Sequence, residues 1–462
     1  MGKRARPARA SGTDVTPLLH QAVVLHQRGM LEEAERLYRR VLALAPEQPD
    51  AHHFLGVLLH QGGRSEQGWP LIERSLALVD RIPDWHNNAG NVLLEMGRLD
   101  EAIAAYQRGL LLAPDRPDIL NNLGVLMRMR RAYQDSEQAY RRALELAPEF
   151  ADGWSNLGNL LAGTGRLLEA LDAYRTALRH KPGHPEARKM LGVAYYALGQ
   201  VDKAAEVYRD WLADEPGHPV AQHHLAACLG SGVPERASDA YVETIFDRFA
   251  HSFDAKLERL HYRAPQLVAE AVARACGAPA GGLDVLDAGC GTGLCGPLLA
   301  PHARRLAGVD LSAQMLAKAR LRGVYDELAK AELTAYLQQC HAEWDLVVSA
   351  DTLCYFGDLR AVTAAACEAL RPGGCLVFTV EALVDGQGGA GFRLNPHGRY
   401  SHAAGYVREV LAQAGLAVEA MEGGVLRTEN MQPVEGWLVV ARRPAAGQDG
   451  ACAGTAGRGQ GS

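Results

Sequence analysis

The 462-residue sequence contains no run of about 18 apolar residues, so no membrane-spanning helix is expected. It also lacks an excess of positive charge. A formal net charge of -6 argues against a nucleic-acid binder, which needs a dense Lys/Arg surface to displace counterions. The nine cysteines form no CxxC pair and do not join the 17 histidines at metal-ligand spacing. A disulfide framework and a zinc site are both disfavoured, and reduced thiols in a cytoplasmic protein are the expectation. The first ten residues (MGKRARPARA) are basic, yet no apolar segment of signal-peptide type follows them. Residues 1–14 therefore read as a disordered basic tail, and the low-complexity stretch 444–462 as a second one. Aromatic residues make up only 6%, so a tyrosine that returns at a fixed spacing stands out.

Such a tyrosine is present, within a period of 34. Ala22, Gly56, Gly90, Gly124, Gly158 and Gly192 recur at that spacing without an insertion. Twelve residues beyond each sit Ala34, Gly68, Ala102, Ser136, Ala170 and Ala204; four further on come Tyr38, Ile72, Tyr106, Tyr140, Tyr174 and Tyr208. Pro46, Pro114, Pro148, Pro182 and Pro216 close five of the six units. Small residues midway along two helices let their backbones approach, the tyrosine fills the space beside them, and the proline stops the second helix. One such hairpin cannot bury its apolar face alone, so the units must stack. Over residues 15–218 the pattern resembles the tetratricopeptide repeat family, with Pro219–Leu229 as a partial capping unit and 15–230 as the array. The resemblance implies an all-α solenoid whose concave face binds a protein or peptide. Asn88, Asn122 and Asn156 also repeat every 34 residues, with Asn91 and Asn159 one turn along the same face. An amide ladder offers paired donors and acceptors suited to a peptide backbone, or else pins neighbouring helices to one another.

The register stops at LGSGVP (229–234). Ile245, Phe249, Phe253, Leu257 and Leu260 then fall at helical spacing, so 231–265 reads as a linker and a helix packed on the next domain. Residues 283–288 (LDVLDA) read as a buried strand running into GCGTG, where Gly289, Gly291 and Gly293 allow a ligand to approach the backbone at a helix start. Alone the loop is weak evidence, since Gly291, Gly293 and Gly296 also fit the dinucleotide-binding spacing. Asp287 just before the loop would face an ammonium and repel a pyrophosphate. Asp310 ends the next strand, where it can hold two ribose hydroxyls. Ser312 then caps a helix with Met315 beside the loop.

The order VLDAGCGTG followed by GVDLSxxM resembles the class I S-adenosylmethionine-dependent methyltransferases over about residues 240–443. The resemblance implies a Rossmann-like α/β domain (266–443) with a seven-stranded, mostly parallel sheet, and S-adenosylmethionine as cofactor. It implies that Asp287, Gly289, Gly291, Gly293, Asp310, Leu311, Met315, Glu332 and Asp351 form the cofactor site, with Glu332 near the adenine amino group. The segment IFDRFAHSFD resembles the opening lid of small-molecule methyltransferases. Asp351 and Tyr355, after the fourth strand, and His402, in a second cluster with His397 and Tyr400, are candidates for the acceptor side. No Asp/Asn-Pro-Pro-Tyr/Phe tetrad follows strand four, so amine methylation of DNA is not expected. Two other readings compete: a scaffold that binds the cofactor without turnover, and a nicotinamide-dependent oxidoreductase, disfavoured by Asp287 and by the terminal strands. The methyl acceptor is not legible.

Overall fold

The computed structural model describes residues 14–250, 253–254, 257, 262–383, 391–429 and 432–445; most of both expected tails, and Leu260 of the expected lid, lie outside the described residues. Twelve helices alternate from Thr16–Gln27 to Val201–Asp214 as six hairpins, and Pro219–Leu229 follows as a thirteenth. The described chain groups into two compact units, Met1–Leu160 with Arg179–Pro182, and Leu161–Leu178 with Gly183–Ser462.

In the first unit the 34-residue pattern does what its chemistry requires. A Cβ placed on Gly90 or Gly124 would lie 2.4 Å or 2.7 Å from the ring of Tyr106 or Tyr140, so the glycine is the notch that the tyrosine fills. Tyr38, Tyr106 and Tyr140 are completely buried. The helices beginning at Pro49, Pro83 and Pro117 each carry that proline in their first turn, where the missing N–H is one the helix would leave unpaired anyway. At Pro46/Pro49 and Pro114/Pro117 the repeat boundary is thus marked twice, once by a proline after one helix and once by the proline that starts the next, while before Pro83 Asp80 takes the first of these places.

In the second unit the sixth hairpin (Pro185–Ala197 and Val201–Asp214) shows the same notch, Gly192 against Tyr208. A mixed sheet follows, with strands β1 (Leu283–Ala288), β2 (Ala303–Asp310), β3 (Glu327–Lys330), β4 (Trp344–Ser349), β5 (Leu370–Ala382), β6 (Phe392–Leu394), β7 (Tyr400–His402), β8 (Ala417–Glu429) and β9 (Gln432–Arg442). The order is β3-β2-β1-β4-β5-β7-β6, with β9 antiparallel to both β5 and β8. The sheet therefore has nine described strands rather than the seven expected, because Phe392–Leu394 and Tyr400–His402 close a short hairpin that pairs with the end of β5. Both faces of the parallel strands are covered: Leu286, Val347 and Phe378 are buried on one, Val285, Leu346, Val348 and Val377 on the other. No helix among the described residues is long and apolar enough to cross a membrane.

Candidate cofactor and acceptor site

Chain reversals at the carboxyl ends of β1, β2 and β4 meet at one cavity of about 370 Å³. Gly289, Gly291 and Gly293 all have positive φ, which bends the chain sharply after β1. A side chain at Gly289 is also excluded sterically, since its Cβ would fall 2.1 Å from Thr352 Oγ1. The N–H groups of Gly289 and Cys290 both donate to the Val309 carbonyl, tying the loop to β2. Gly291 N donates to Asp310 Oδ2 (2.9 Å), and Ser312 N donates to Asp310 Oδ1 (2.8 Å). Each Asp310 oxygen has capacity for a further hydrogen bond, and the residue lines the cavity. Burial raises the Asp310 pKa, while its two backbone donors counter the rise. Ser312 caps the following helix by accepting from Met315 N, as its position before that helix predicts.

Of the sequence candidates for the cofactor site, Gly289, Gly291, Asp310, Leu311, Glu332 and Asp351 line the cavity, and the acceptor-side candidate Tyr355 joins them. Asp287, Gly293, Met315 and His402 do not. Asp287 is the principal correction. It is 1% exposed, and its Oδ2 accepts the Tyr325 hydroxyl at 2.6 Å, so it lies behind the loop and not open to a ligand's ammonium. Burial pushes its pKa up to about 7 against the Tyr325 hydrogen bond, with Asp310 adding to the rise. Gly293 faces Tyr325 rather than the cavity, and Met315 is buried in the helix behind Asp310. His402 is fully buried with Nε2 on the Gly357 carbonyl (3.1 Å), and burial lowers its pKa to about 4. It ties the hairpin to the Gly357 loop and does not line the cavity. His397 is exposed, 3.4 Å from Glu381 Oε2, and lies outside the cavity wall. Glu332 accepts from Thr334 N and Ala335 N, so this carboxylate caps a helix as well as facing the cavity.

The end of the cavity at Asp351 and Tyr355 holds a charge cluster that no local motif announces. Arg427, 4% exposed in its side chain, reaches Asp351 Oδ2 (2.5 Å), Glu429 Oε1 (2.7 Å) and Glu381. Arg399 binds Glu381 Oε1 and Glu429 Oε2, each at 2.5 Å. Burial would raise the Glu429 pKa, but the two guanidiniums outweigh it and hold the carboxyl at about 2. Asp351 sits at φ 55, a strained conformation for a residue with a Cβ, and its N–H donates to Thr379 Oγ1. Burial raises the pKa of Tyr262, Tyr355 and Cys354, so the tyrosines hold their protons and Cys354 stays a thiol. Ile245, Phe246, Phe253 and Leu257 form an apolar wall opposite. This wall is tied down at both ends, Ser312 Oγ donating to Asp247 and Arg322 holding Asp254 Oδ2 at 2.6 Å.

The amide ladder lies in the other unit. Asn122 Nδ2 donates to Asn87 Oδ1 (3.0 Å) and Asn91 Oδ1 (3.2 Å), and Asn156 Nδ2 donates to Asn121 Oδ1 (2.9 Å). Asn88 Nδ2 lies 2.9 Å from His53 Nε2, and Asn91 Oδ1 also accepts from Tyr106. These bonds join helices of successive repeats. Asn159 is half-buried on the same face as Asn156.

A glycine loop and a carboxylate at adjacent strand ends, on a sheet ordered β3-β2-β1-β4-β5, define a methyltransferase-type Rossmann-like domain. Residues 285–374 match the family model described as a methyltransferase domain, and residues 21–77, 81–149 and 155–219 match tetratricopeptide repeat models. The chain is 31% identical over 167 residues to a ubiquinone biosynthesis O-methyltransferase of Thiobacillus denitrificans, covering 33% of this chain and 68% of that one. It is 36% identical over 103 residues to human methyltransferase-like protein 27, covering 22% and 41%. A solved S-adenosylmethionine-dependent methyltransferase from Mesorhizobium loti is 27% identical, with a TM-score of 0.31, over 38% of this chain and 98% of that one. The chain spans about half the length of the first curated relatives it matches. It belongs to the class I S-adenosylmethionine-dependent methyltransferases, in a form that carries tetratricopeptide repeats.

Proposed function

We propose that the protein transfers a methyl group from S-adenosylmethionine to an acceptor that its repeats help to recruit, as a protein or a protein-tethered molecule. The observation that carries this reading is Asp310: a buried carboxylate at the tip of β2, braced by Gly291 N and Ser312 N, in the wall of a cavity whose size suits a small ligand. The residues present fit the cofactor. Asp310 would hold a ribose diol and the glycine loop would admit a backbone-hugging ligand. Four carboxylates against three guanidiniums among the described lining residues favour a cation. When bound, S-adenosylmethionine supplies an electrophilic methyl on a sulfonium.

The chain's own part is to position and to exclude water. Ile245, Phe246, Phe253 and Leu257 cover the cavity, while Asp351 is fixed by Arg427 and by Thr379 Oγ1. Tyr262 and Tyr355 keep their protons, so they orient an acceptor by donating hydrogen bonds and take no proton from it. Asp351 is the carboxylate we place beside the acceptor, where a proton would have to leave if the acceptor does not arrive ionised.

Calorimetry with S-adenosylmethionine tests the cofactor assignment. Asp310→Ala should weaken binding by roughly 10- to 150-fold, the worth of hydrogen bonds to a charged group. Unchanged affinity would remove Asp310 from the site. Transfer of labelled methyl from S-adenosylmethionine into a cell extract separates an enzyme from a scaffold that only binds, and the labelled species identifies the acceptor.

A further inference from the structure

The helix that follows the sixth repeat, Pro219–Leu229, buries two adjacent histidines, His223 at 4% exposure and His224 at 1%. By position His224 falls in the register of Asn88, Asn122 and Asn156, two periods beyond the last, with an imidazole in place of the amide. Neighbouring helical positions point about 100° apart, yet both side chains end on the same short turn of the sheet domain. His223 Nε2 lies 2.8 Å from the Gly398 carbonyl, and His224 Nδ1 lies 2.8 Å from the Pro396 carbonyl. A carbonyl accepts only, so each ring nitrogen must carry the proton there. Burial lowers both histidine pKa values, that of His224 to about 3, which keeps both rings neutral donors.

That turn is closed on itself, Gly398 N donating to the Asn395 carbonyl and Asn395 N to that of Arg399. Gly398 has φ 91, and a Cβ there would lie 2.1 Å from the Tyr241 hydroxyl oxygen, so the turn has little freedom to adjust. Its last residue is Arg399, which lines the cavity and holds Glu381 and Glu429. On the other side His223 stacks on Tyr241, with ring centroids 3.9 Å apart. Tyr241 lies in the first turn of the helix Asp239–Phe249, whose Val242, Ile245 and Phe246 form part of the apolar wall. His224 stacks on Tyr208 of the sixth repeat at 5.4 Å. A continuous set of contacts therefore runs from a repeat tyrosine through two histidines to both walls of the cavity. Apolar side chains would suffice to pack this helix. Two donors aimed at two carbonyls of one turn do more.

We propose that His223 and His224 are positioning residues for the acceptor end of the cavity: the capping helix of the repeats sets where Arg399 stands, and through it Glu381, Glu429 and Arg427. The inference rests on the methyltransferase reading for its consequence in turnover, but not for its structural content. The end of the array is then a working part of the catalytic unit, and a change in the sixth repeat reaches the acceptor pocket without touching the glycine loop.

The test uses the full chain. His223→Phe and His224→Phe keep ring volume and remove the donor. Each should speed amide hydrogen exchange at Asn395 and Gly398 and lower labelled-methyl transfer into extract by about 10- to 100-fold, the scale of a misplacement near 1 Å. Affinity for S-adenosylmethionine should stay within about twofold, as expected for a separate site. The Gln side chain places its amide nitrogen near His Nε2 and Asn near His Nδ1, so His223→Gln and His224→Asn should restore exchange and transfer. The swapped pair, His223→Asn and His224→Gln, should not. If the phenylalanine variants fail to fold, the matched and swapped amides decide between them. Wild-type exchange and transfer in the phenylalanine variants, or equal behaviour of matched and swapped amides, would overturn the proposal. Failure of the wild-type chain to bind S-adenosylmethionine would sink the methyltransferase reading instead, while the exchange data would still judge the role of the histidines.

Discussion

Asp287→Asn should stabilise the protein, and by an amount that grows with pH. Asp287 is fully buried behind the glycine loop, and its pKa is raised to about 7 from an ordinary 3.8. A carboxyl whose folded pKa lies above its unfolded value binds the extra proton in the folded state. Stability therefore falls as pH climbs between those two values. At about 1.36 kcal/mol per pK unit, the ionisation penalty is roughly 1.7 kcal/mol at pH 5 and roughly 4 kcal/mol at pH 7. Asparagine retains an acceptor for the Tyr325 hydroxyl and has no proton to lose, so the penalty vanishes. The advantage of the variant over wild type should thus widen by about 2 kcal/mol between pH 5 and pH 7. For a domain of this size that is a shift in Tm difference of about 4–8 °C. Scanning calorimetry of the full chain, without cofactor, reads it in whichever transition moves on adding S-adenosylmethionine. A Tm difference that is the same at both pH values would show that Asp287 is ionised when buried, and with it that the side chain has access to a counter-charge or to solvent.

Three other outcomes follow from the geometry. Arg427→Met leaves Asp351 beside an uncharged side chain and Glu381 and Glu429 to Arg399, and should cost about 3–5 kcal/mol near neutral pH. Glu429 is held at about 2, below the usual glutamate range, so the stability that Arg427 lends is present above about pH 4.5 and fades as pH falls toward 2; the deficit in thermal unfolding should shrink with it. Gly289→Ala combines positive φ with a Cβ at 2.1 Å from Thr352 Oγ1, and should abolish S-adenosylmethionine binding in calorimetry; wild-type affinity would show that the loop can rearrange. Asn122→Ala removes two amide bonds between repeats and should destabilise the array by about 1 kcal/mol in urea unfolding followed by circular dichroism; no change would mean that water replaces the ladder.

What could be read in the sequence was either periodic or contiguous. The repeat hairpins, with glycine notch and tyrosine, follow from one residue type at one spacing, and the structure seats Tyr106 against Gly90 and Tyr140 against Gly124 as that spacing requires. The glycine loop and Asp310 lie within about two dozen residues of each other, and the structure brings Gly289, Gly291 and Asp310 to one cavity. Which of two strand-end carboxylates faces the cavity was not legible, because the answer depends on Tyr325. That residue follows a turn at Gly323 and carries no motif, yet it fills the space behind Gly293, Gly296 and Gly308 and covers Asp287.

The charge cluster was missed for a different physical reason, and it lies in the register of the last hairpin. In a regular strand side chains alternate between faces, so in VLRTE the buried Leu426 predicts that Arg427 points away from the interior. The β8–β9 pairing shifts register between Val425 and Arg427. An extra residue at that point re-aims the chain, and Leu426 and Arg427 are both buried, at 1% and 3% exposure. Gly436 on the partner strand admits the irregularity, since a Cβ there would meet Leu426 Cδ1 at 2.3 Å and the Val380 carbonyl at 2.7 Å. The bulge thus delivers a guanidinium to Asp351 at the end of β4 and to Glu381 near the end of β5, three groups that nothing in the linear sequence brings together. A change that restores regular pairing at Leu426 would return Arg427 to the opposite face and leave Asp351 in its strained conformation without the partner that fixes its carboxylate.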